Sequence, residues 1–242
     1  MFLYGKNSIQ ERLIKNPKTI KIIYAQENFQ SPELFETIKK TRIPVKTVSE
    51  NALYRIKKAD RLQGIVAEVD DYKYTEFEEL LVIPGITPIF LDKINDPHNF
   101  GAIIRSAACF GGYGIVIQKH GTCQVNDTVM HVSQGGENYI PVSLVTNMTQ
   151  AILKAKDKGY WIAGTVVENG KKVYESELPF PLCIVMGSEG SGIRYGIEKH
   201  LDFRVTLPMK GASLSFNVAM STSIFCYEIS RQKDIMKKCK KA

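Results

Sequence analysis

Three glycine- and serine-bearing segments hold the side chains best suited to chemistry. The first, "LDKINDPHNFGAIIRSAACFGG", opens a helix after Pro97, carries Asn99 at its start, and sets Arg105 among Ile103, Ile104, Ala107 and Ala108. A guanidinium in such a run calls for an anionic partner. That partner is either a structural carboxylate, with Asn99 serving as a cap, or a phosphate or developing alkoxide. The second segment, "IVMGSEGSGI", sets an apolar run against a turn with Glu189 at its centre and no lysine to meet a phosphate. Its glycines imply close approach of backbone to a ligand. Glu189 either orients a substrate or caps amides of the helix expected after Gly192. The third, "LPMKGASLSFNVAMSTSIFCYE", reads by itself as a polar helix start with Ser213 or Ser215 as N-cap. Asn217 follows, and Ala219, Ser221 and Ser223 form a small face for close packing.

Several chemistries are excluded by spacing. There is no GxxxxGK[ST] phosphate loop, the glycines of "GSEGSG" do not fit GxGxxG after a first strand, and no GxSxG nucleophile elbow occurs. His98, His120, His131 and His200 lack paired spacing, so no metal site is expected. The five cysteines form no CxxC pair and read as reduced thiols.

The elements that must position these segments follow from periodicity. Over residues 1–72, helical patterns ("SIQERLIKN", "PELFETIKKT", "SENALYRIKK") alternate with strands ("IKIIYA", "IPVKTV", "GIVAEV"), which predicts a small α/β domain. Residues 73–87 read as a linker, with Thr75 and Glu78 as a capping box for a short helix. From residue 88 to 242, near-continuous apolar strands alternate with helices, the pattern of a mostly parallel sheet covered on both faces. Ligands of such sheets sit beyond the carboxyl ends of the strands. The chain of 242 residues carries a net charge of +7, which favours a polyanionic partner. Its longest apolar runs fall well short of the roughly 20 residues of a membrane span, and its start lacks signal-peptide order. A cytoplasmic protein with no membrane association is the expectation.

In this order, "DPHNFGAIIRSA", "IVMGSEGSG" and "LPMKGASLSFNVA" resemble the three motifs of the SpoU (TrmH) family of RNA ribose 2′-O-methyltransferases, within the SPOUT superfamily. The segment from "YGKNSIQERL" to "QGIVAEV" is similar to the substrate-binding domain of a bacterial enzyme that methylates a guanosine ribose of large-subunit (23S) rRNA. The resemblance implies S-adenosyl-L-methionine as methyl donor, a C-terminal trefoil knot, and a homodimer with its active site at the interface. Periodicity alone predicts an unknotted sheet. Carried over position by position, the family's functional residues fall on Asn99, Arg105, Glu189, Ser215 and Asn217, and its cofactor contacts on Gly187, Leu207, Phe216 and Thr165. Relatives read Ser-Leu-Asn-Val-Ser where this chain has Ser215-Phe216-Asn217-Val218-Ala219, one hydroxyl fewer.

The resulting expectation is that Arg105 meets the ribose 2′-oxygen while Asn99, Ser215 and Asn217 position ribose and phosphate. A guanidinium stays protonated in almost any environment, so stabilising a developing alkoxide suits Arg105 at least as well as acting as a base. The basic N-terminal domain would select the RNA, with Tyr4 or Tyr54 stacking on unpaired bases. The alternatives are a tRNA ribose 2′-O-methyltransferase, or a catalytically silent RNA-binding relative.

Overall fold

A computed structural model describes residues 1–188, 190, 192–211 and 214–239. The apolar runs of the second half become a seven-stranded sheet, all its strands parallel, in the order β7-β6-β5-β10-β8-β11-β9. The strands are β5 (Thr87–Leu91), β6 (Tyr113–Gln118), β7 (Val142–Val145), β8 (Trp161–Thr165), β9 (Lys171–Lys172), β10 (Leu182–Met186) and β11 (Phe203–Thr206). β5 and β10 lie side by side at the centre, and all five residues of each are buried. Alternation along the strands explains why an unbroken apolar run is required. Ile89, Leu91, Ile115, Ile117, Ile184 and Met186 join the core on one face, while Phe90, Val116, Cys183 and Val185 join that on the other. The first face is covered by α5 (Pro97–Phe110), α6 (Asp127–Ser133) and α9 (Val218–Cys239). The second is covered by α4 (Phe77–Leu81), α7 (Met148–Asp157) and α8 (Tyr195–Glu198).

The N-terminal residues form a second sheet, ordered β1-β4-β2-β3. It comprises β1 (Phe2–Tyr4), β2 (Ile20–Gln26), β3 (Val45–Val48) and β4 (Ile65–Val69), interleaved with α1 (Lys6–Lys15), α2 (Pro32–Lys39) and α3 (Glu50–Ile56). β4 runs antiparallel to β1 and β2, and β2 is parallel to β3. Both β1 and β9 escape a periodicity reading because two or three residues carry no period.

The two sheets share one apolar cluster, in which Leu3, Ile9 and Leu13 pack with Phe100, Ile104 and Val129. At this junction Arg12 and Glu137 form a buried ion pair at 3.1 Å. Glu137 also accepts from Ser133 Oγ at 2.6 Å and from Asn138 Nδ2 at 3.1 Å. Lys57 pairs with Asp127, and the Phe2 amide donates to the same carboxylate. The first 72 residues are therefore clamped onto α5 and α6. The helix expected in residues 73–87 is present as α4, but the capping box is not. Glu76 precedes α4 without a side-chain cap, the Thr75 amide donates to Val142 O, and Glu78 pairs with Lys154.

Candidate active site

β8, β10 and β11 end at Thr165, Met186 and Thr206, and beyond them opens a cavity of about 280 Å³. That is close to the lower end of the roughly 300–1,000 Å³ typical of small-molecule sites. Thr165, Gly187, Leu207, Ser215 and Phe216 all line it, together with the apolar Met186, Ile193 and Phe225. Phe216 is 44% exposed and forms a lip, whereas Leu207 is 9% exposed and forms the wall. The Thr165 hydroxyl donates to Val185 O at 3.1 Å. The four positions expected to hold a cofactor thus converge on one cavity.

Gly187 is required by a contact within the loop itself. A Cβ there would stand 2.3 Å from the Gly192 carbonyl carbon and 2.5 Å from the Ile193 nitrogen. The chain doubles back at this point, with the Ser188 amide donating to Gly192 O at 3.1 Å and the Gly192 amide to Ser188 O at 3.0 Å. Gly192 takes a φ of 63°, the left-handed region that favours glycine. Glu189 lies outside the described residues.

A pair that sequence reading missed holds the returning arm of the loop. Asp92, fully buried just after β5, accepts from the Arg194 amide at 3.0 Å and from Arg194 Nε at 2.7 Å. Arg194 also reaches Gln118 Oε1 at the end of β6. The only sequence signal was an acidic residue closing the apolar strand "IFLD", because the arginine lies about a hundred positions away.

Asn217 and Asn99 meet beside the cavity, Asn217 Nδ2 donating to Asn99 Oδ1 at 2.8 Å. Asn217 Oδ1 accepts from the Ala219 amide at 2.8 Å and the Met220 amide at 3.4 Å, so Asn217 caps α9. Ser215, one of the two serines expected as that cap, does not fill the role, since α9 begins at Val218; the other, Ser213, lies outside the described residues. Asn99 is not the cap of α5 either. Asp96 is, accepting from the His98 amide at 2.9 Å. The small face of α9 does pack closely, with Ser223 Oγ 2.7 Å from Ser106 Oγ of α5.

Arg105 stands apart from this cavity. It is exposed and makes no ion pair among the described residues. It lines a second cleft of about 290 Å³ with Asn7 and Glu11 of α1 and with Gln134 and Tyr139. Ile103, Ile104 and Ala107, its apolar neighbours in sequence, point into the core. At 100° per residue they need not surround it. Tyr4 is no stacking platform for RNA, since it is 6% exposed and stacks on His131 at 4.1 Å between ring centroids. Tyr54 is exposed.

A parallel α/β domain with a ligand cavity beyond its strand ends, fused to a second small sheet domain, is the class defined by this geometry. Residues 87–227 match the model of the SpoU rRNA Methylase family, and residues 2–75 match the RNA 2′-O ribose methyltransferase substrate-binding model. The chain belongs to the SpoU rRNA Methylase family and is an RNA methyltransferase. It is 32% identical over 242 residues to the 23S rRNA (guanosine-2′-O-)-methyltransferase RlmB of Pseudomonas putida, covering 96% of this chain and 97% of that one. It is 34% identical over 239 residues to the enzyme of the same name from Pseudomonas aeruginosa, covering 96% of each. Among solved structures, the SpoU methyltransferase AviRb from Streptomyces viridochromogenes, in complex with AdoMet, superimposes with a TM-score of 0.81 at 20% identity. That match covers 96% of this chain and 90% of AviRb.

Proposed function

We propose that the protein transfers the methyl group of S-adenosyl-L-methionine to the ribose 2′-hydroxyl of a guanosine in 23S rRNA, in the cytoplasm. The observation that carries this reading is the convergence of Thr165, Gly187, Leu207, Ser215 and Phe216 on one cavity at the strand ends. Relatives named for this reaction along nearly their whole length support it, as does the substrate-binding match at the N-terminus. The net charge of +7 suits an RNA partner.

The cavity fits the methyl donor, with an apolar wall from Leu207, a lip from Phe216, and a backbone turn at Gly187 for polar contacts. When bound, S-adenosyl-L-methionine supplies an electrophilic methyl group on a sulfonium. The Asp92–Arg194 pair holds the turn in place, and the Asn99–Asn217 pair fixes polar groups at the cavity edge for ribose and phosphate, with Ser215 beside them. Holding the 2′-hydroxyl in line contributes roughly 7–11 kcal/mol at best. The Arg105 guanidinium stabilises the 2′-oxygen as its proton passes to a phosphate oxygen of the RNA substrate, and Glu189 orients the substrate.

Arg105 and the donor cavity line different clefts of one chain, so a second copy completes the site, bringing its Arg105 to this cavity. The exposed stripe of Met220, Ile224 and Tyr227 on α9, flanked by Phe110 of α5, suits that homodimer. We further assign residues 1–72 to RNA binding, 73–87 to a connecting segment and 88–242 to the methyltransferase domain with a trefoil knot. The insertion of β10 between β5 and β8, and the return of α9 onto α5, support the knot.

Incubation with labelled S-adenosyl-L-methionine and unmodified 23S rRNA or tRNA, followed by nucleoside mapping, tests the reading. Label in 2′-O-methylguanosine of 23S rRNA is expected. Label confined to tRNA, or to a base, would overturn it. Arg105→Lys keeps the charge and loses the planar fork, so turnover should fall at least 100-fold with donor affinity unchanged.

A further inference from the structure

The cleft around Arg105 carries more than the arginine. One wall is α1, which offers Asn7 and Glu11, and the other is the turn that follows α6, which offers Gln134 and Tyr139. Glu11 and Tyr139 are joined by a hydrogen bond from the phenol to the carboxylate, and Asn7 Nδ2 donates to Gln134 Oε1 at 3.2 Å. The Tyr139 ring is 46% exposed, with Lys15 Nζ 4.6 Å from its centroid. The two walls are fixed to one another by the buried Arg12–Glu137 pair, whose members are the chain neighbour of Glu11 and the residue two before Tyr139. The spacing of the cleft is therefore preset by a contact beneath it.

From these groups we infer that the cleft is the binding pocket for the guanine base of the target nucleotide, read by Glu11 and Asn7 and stacked on Tyr139. A carboxylate only accepts, and its two oxygens offer about four lone-pair sites, so one bond from Tyr139 leaves room for others. Of the four RNA bases, only guanine presents two adjacent donors on its Watson–Crick edge, N1–H and the N2 amino group. Their spacing matches a carboxylate. Asn7, an amide donor, suits guanine O6. Unpaired bases are commonly recognised by this combination of edge bonds and aromatic stacking. The inference rests on the guanosine reading above and adds a consequence to it. Base and 2′-oxygen would be held by one chain, through α1 and Arg105, while the methyl donor sits in the cavity of the other.

The test uses the full-length protein and two independent readouts. Guanosine 5′-monophosphate, inosine 5′-monophosphate (which lacks the N2 amino group) and adenosine 5′-monophosphate are titrated at millimolar concentration and followed by NMR. The guanine nucleotide should give saturable shifts at Tyr139 and Glu11 and bind at least tenfold more tightly than either analogue. Glu11→Gln should erase that preference, because one acceptor oxygen becomes an amide donor facing a donor edge. The parallel readout is methyl transfer to an RNA fragment spanning the modified position. Glu11→Gln should lose about 10- to 100-fold in kcat/KM. Tyr139→Ala should raise KM about 10-fold, and Tyr139→Phe, which keeps the ring and loses the bond to Glu11, should raise it less than Tyr139→Ala. Melting temperature and donor affinity should not move in any of the three. Equal binding of the three nucleotides, or transfer by Glu11→Gln within threefold of wild type, would overturn the pocket. A wild type that methylates no ribose would overturn the function reading instead, with the nucleotide titration still deciding the pocket.

Discussion

Gly187→Ala is the sharpest perturbation of the donor cavity. The added methyl would stand 2.3 Å from the Gly192 carbonyl carbon, 2.5 Å from the Ile193 nitrogen and 2.7 Å from the Gly192 oxygen, all backbone atoms that no rotamer change can move. Restoring ordinary contact requires the two arms of the turn to part by about 1 Å. That separation breaks the paired Ser188–Gly192 hydrogen bonds, worth about 0.5–1.5 kcal/mol each. A loss of about 1–3 kcal/mol from the shape of the cavity corresponds to roughly a 10- to 100-fold rise in Kd for S-adenosyl-L-methionine. Isothermal titration calorimetry reads this directly. Melting temperature should fall by about 2–10 °C, since 1 kcal/mol shifts a chain of this size by roughly 2–4 °C. A variant that binds the donor within threefold of wild type would show that the turn does not shape the site.

Arg194→Met removes the partner of a fully buried carboxylate while keeping most of the side-chain volume. Asp92 would be left with an uncompensated charge, costing about 3–5 kcal/mol, and thermal unfolding should show a drop on the order of 10 °C. A change under about 2 °C would contradict the clamp. Lys233 supplies a pH-dependent test. Burial, then the charge of Lys237, lowers its pKa to about 8, with Cys226 opposing, while its ammonium donates to Gly85 O at 2.9 Å. Between about pH 8 and the unfolded value of about 10.4, the unfolded chain binds more protons at this group than the folded one, so this contribution to stability rises with pH. Buried Cys226, pushed up to about 12 by burial first, acts in the opposite direction. The difference between wild type and Lys233→Met reports the lysine together with its coupling to Cys226: wild type should gain on the variant from about pH 8 to 10 in urea unfolding, and a constant difference would contradict it.

The parallel sheet was legible because β5, β6 and β10 are buried on both faces and so are apolar at nearly every position, Thr87 and Gln118 apart. The donor cavity was legible because its residues sit at the ends of those runs. Three features were not. The start of α9 was placed too early because several polar residues precede Val218, and any of them has the chemistry of a cap; only the fold places the Asn217 oxygen over the Ala219 amide. Arg105 was read as sitting in an apolar setting because neighbours in sequence are not neighbours on a helix. The Arg12–Glu137 and Asp92–Arg194 pairs join residues a hundred or more positions apart, and nothing local marks one as the partner of the other. Their consequence is large, since the first pair makes the N-terminal residues a wall of the Arg105 cleft instead of a loosely tethered selector.

The central claim is that the donor half and the acceptor half of each site come from different chains. Co-expression of Arg105→Ala and Gly187→Ala chains carrying different tags allows the mixed dimer to be purified. With S-adenosyl-L-methionine held near the wild-type Kd, each homodimer should run at no more than about a tenth of the wild-type rate. The mixed dimer contains one unaltered composite site of its two, so it should form 2′-O-methylguanosine in 23S rRNA at about half the wild-type rate. If both halves belonged to one chain, every site in the mixed dimer would carry one lesion, and a rate no higher than that of the homodimers would contradict the account.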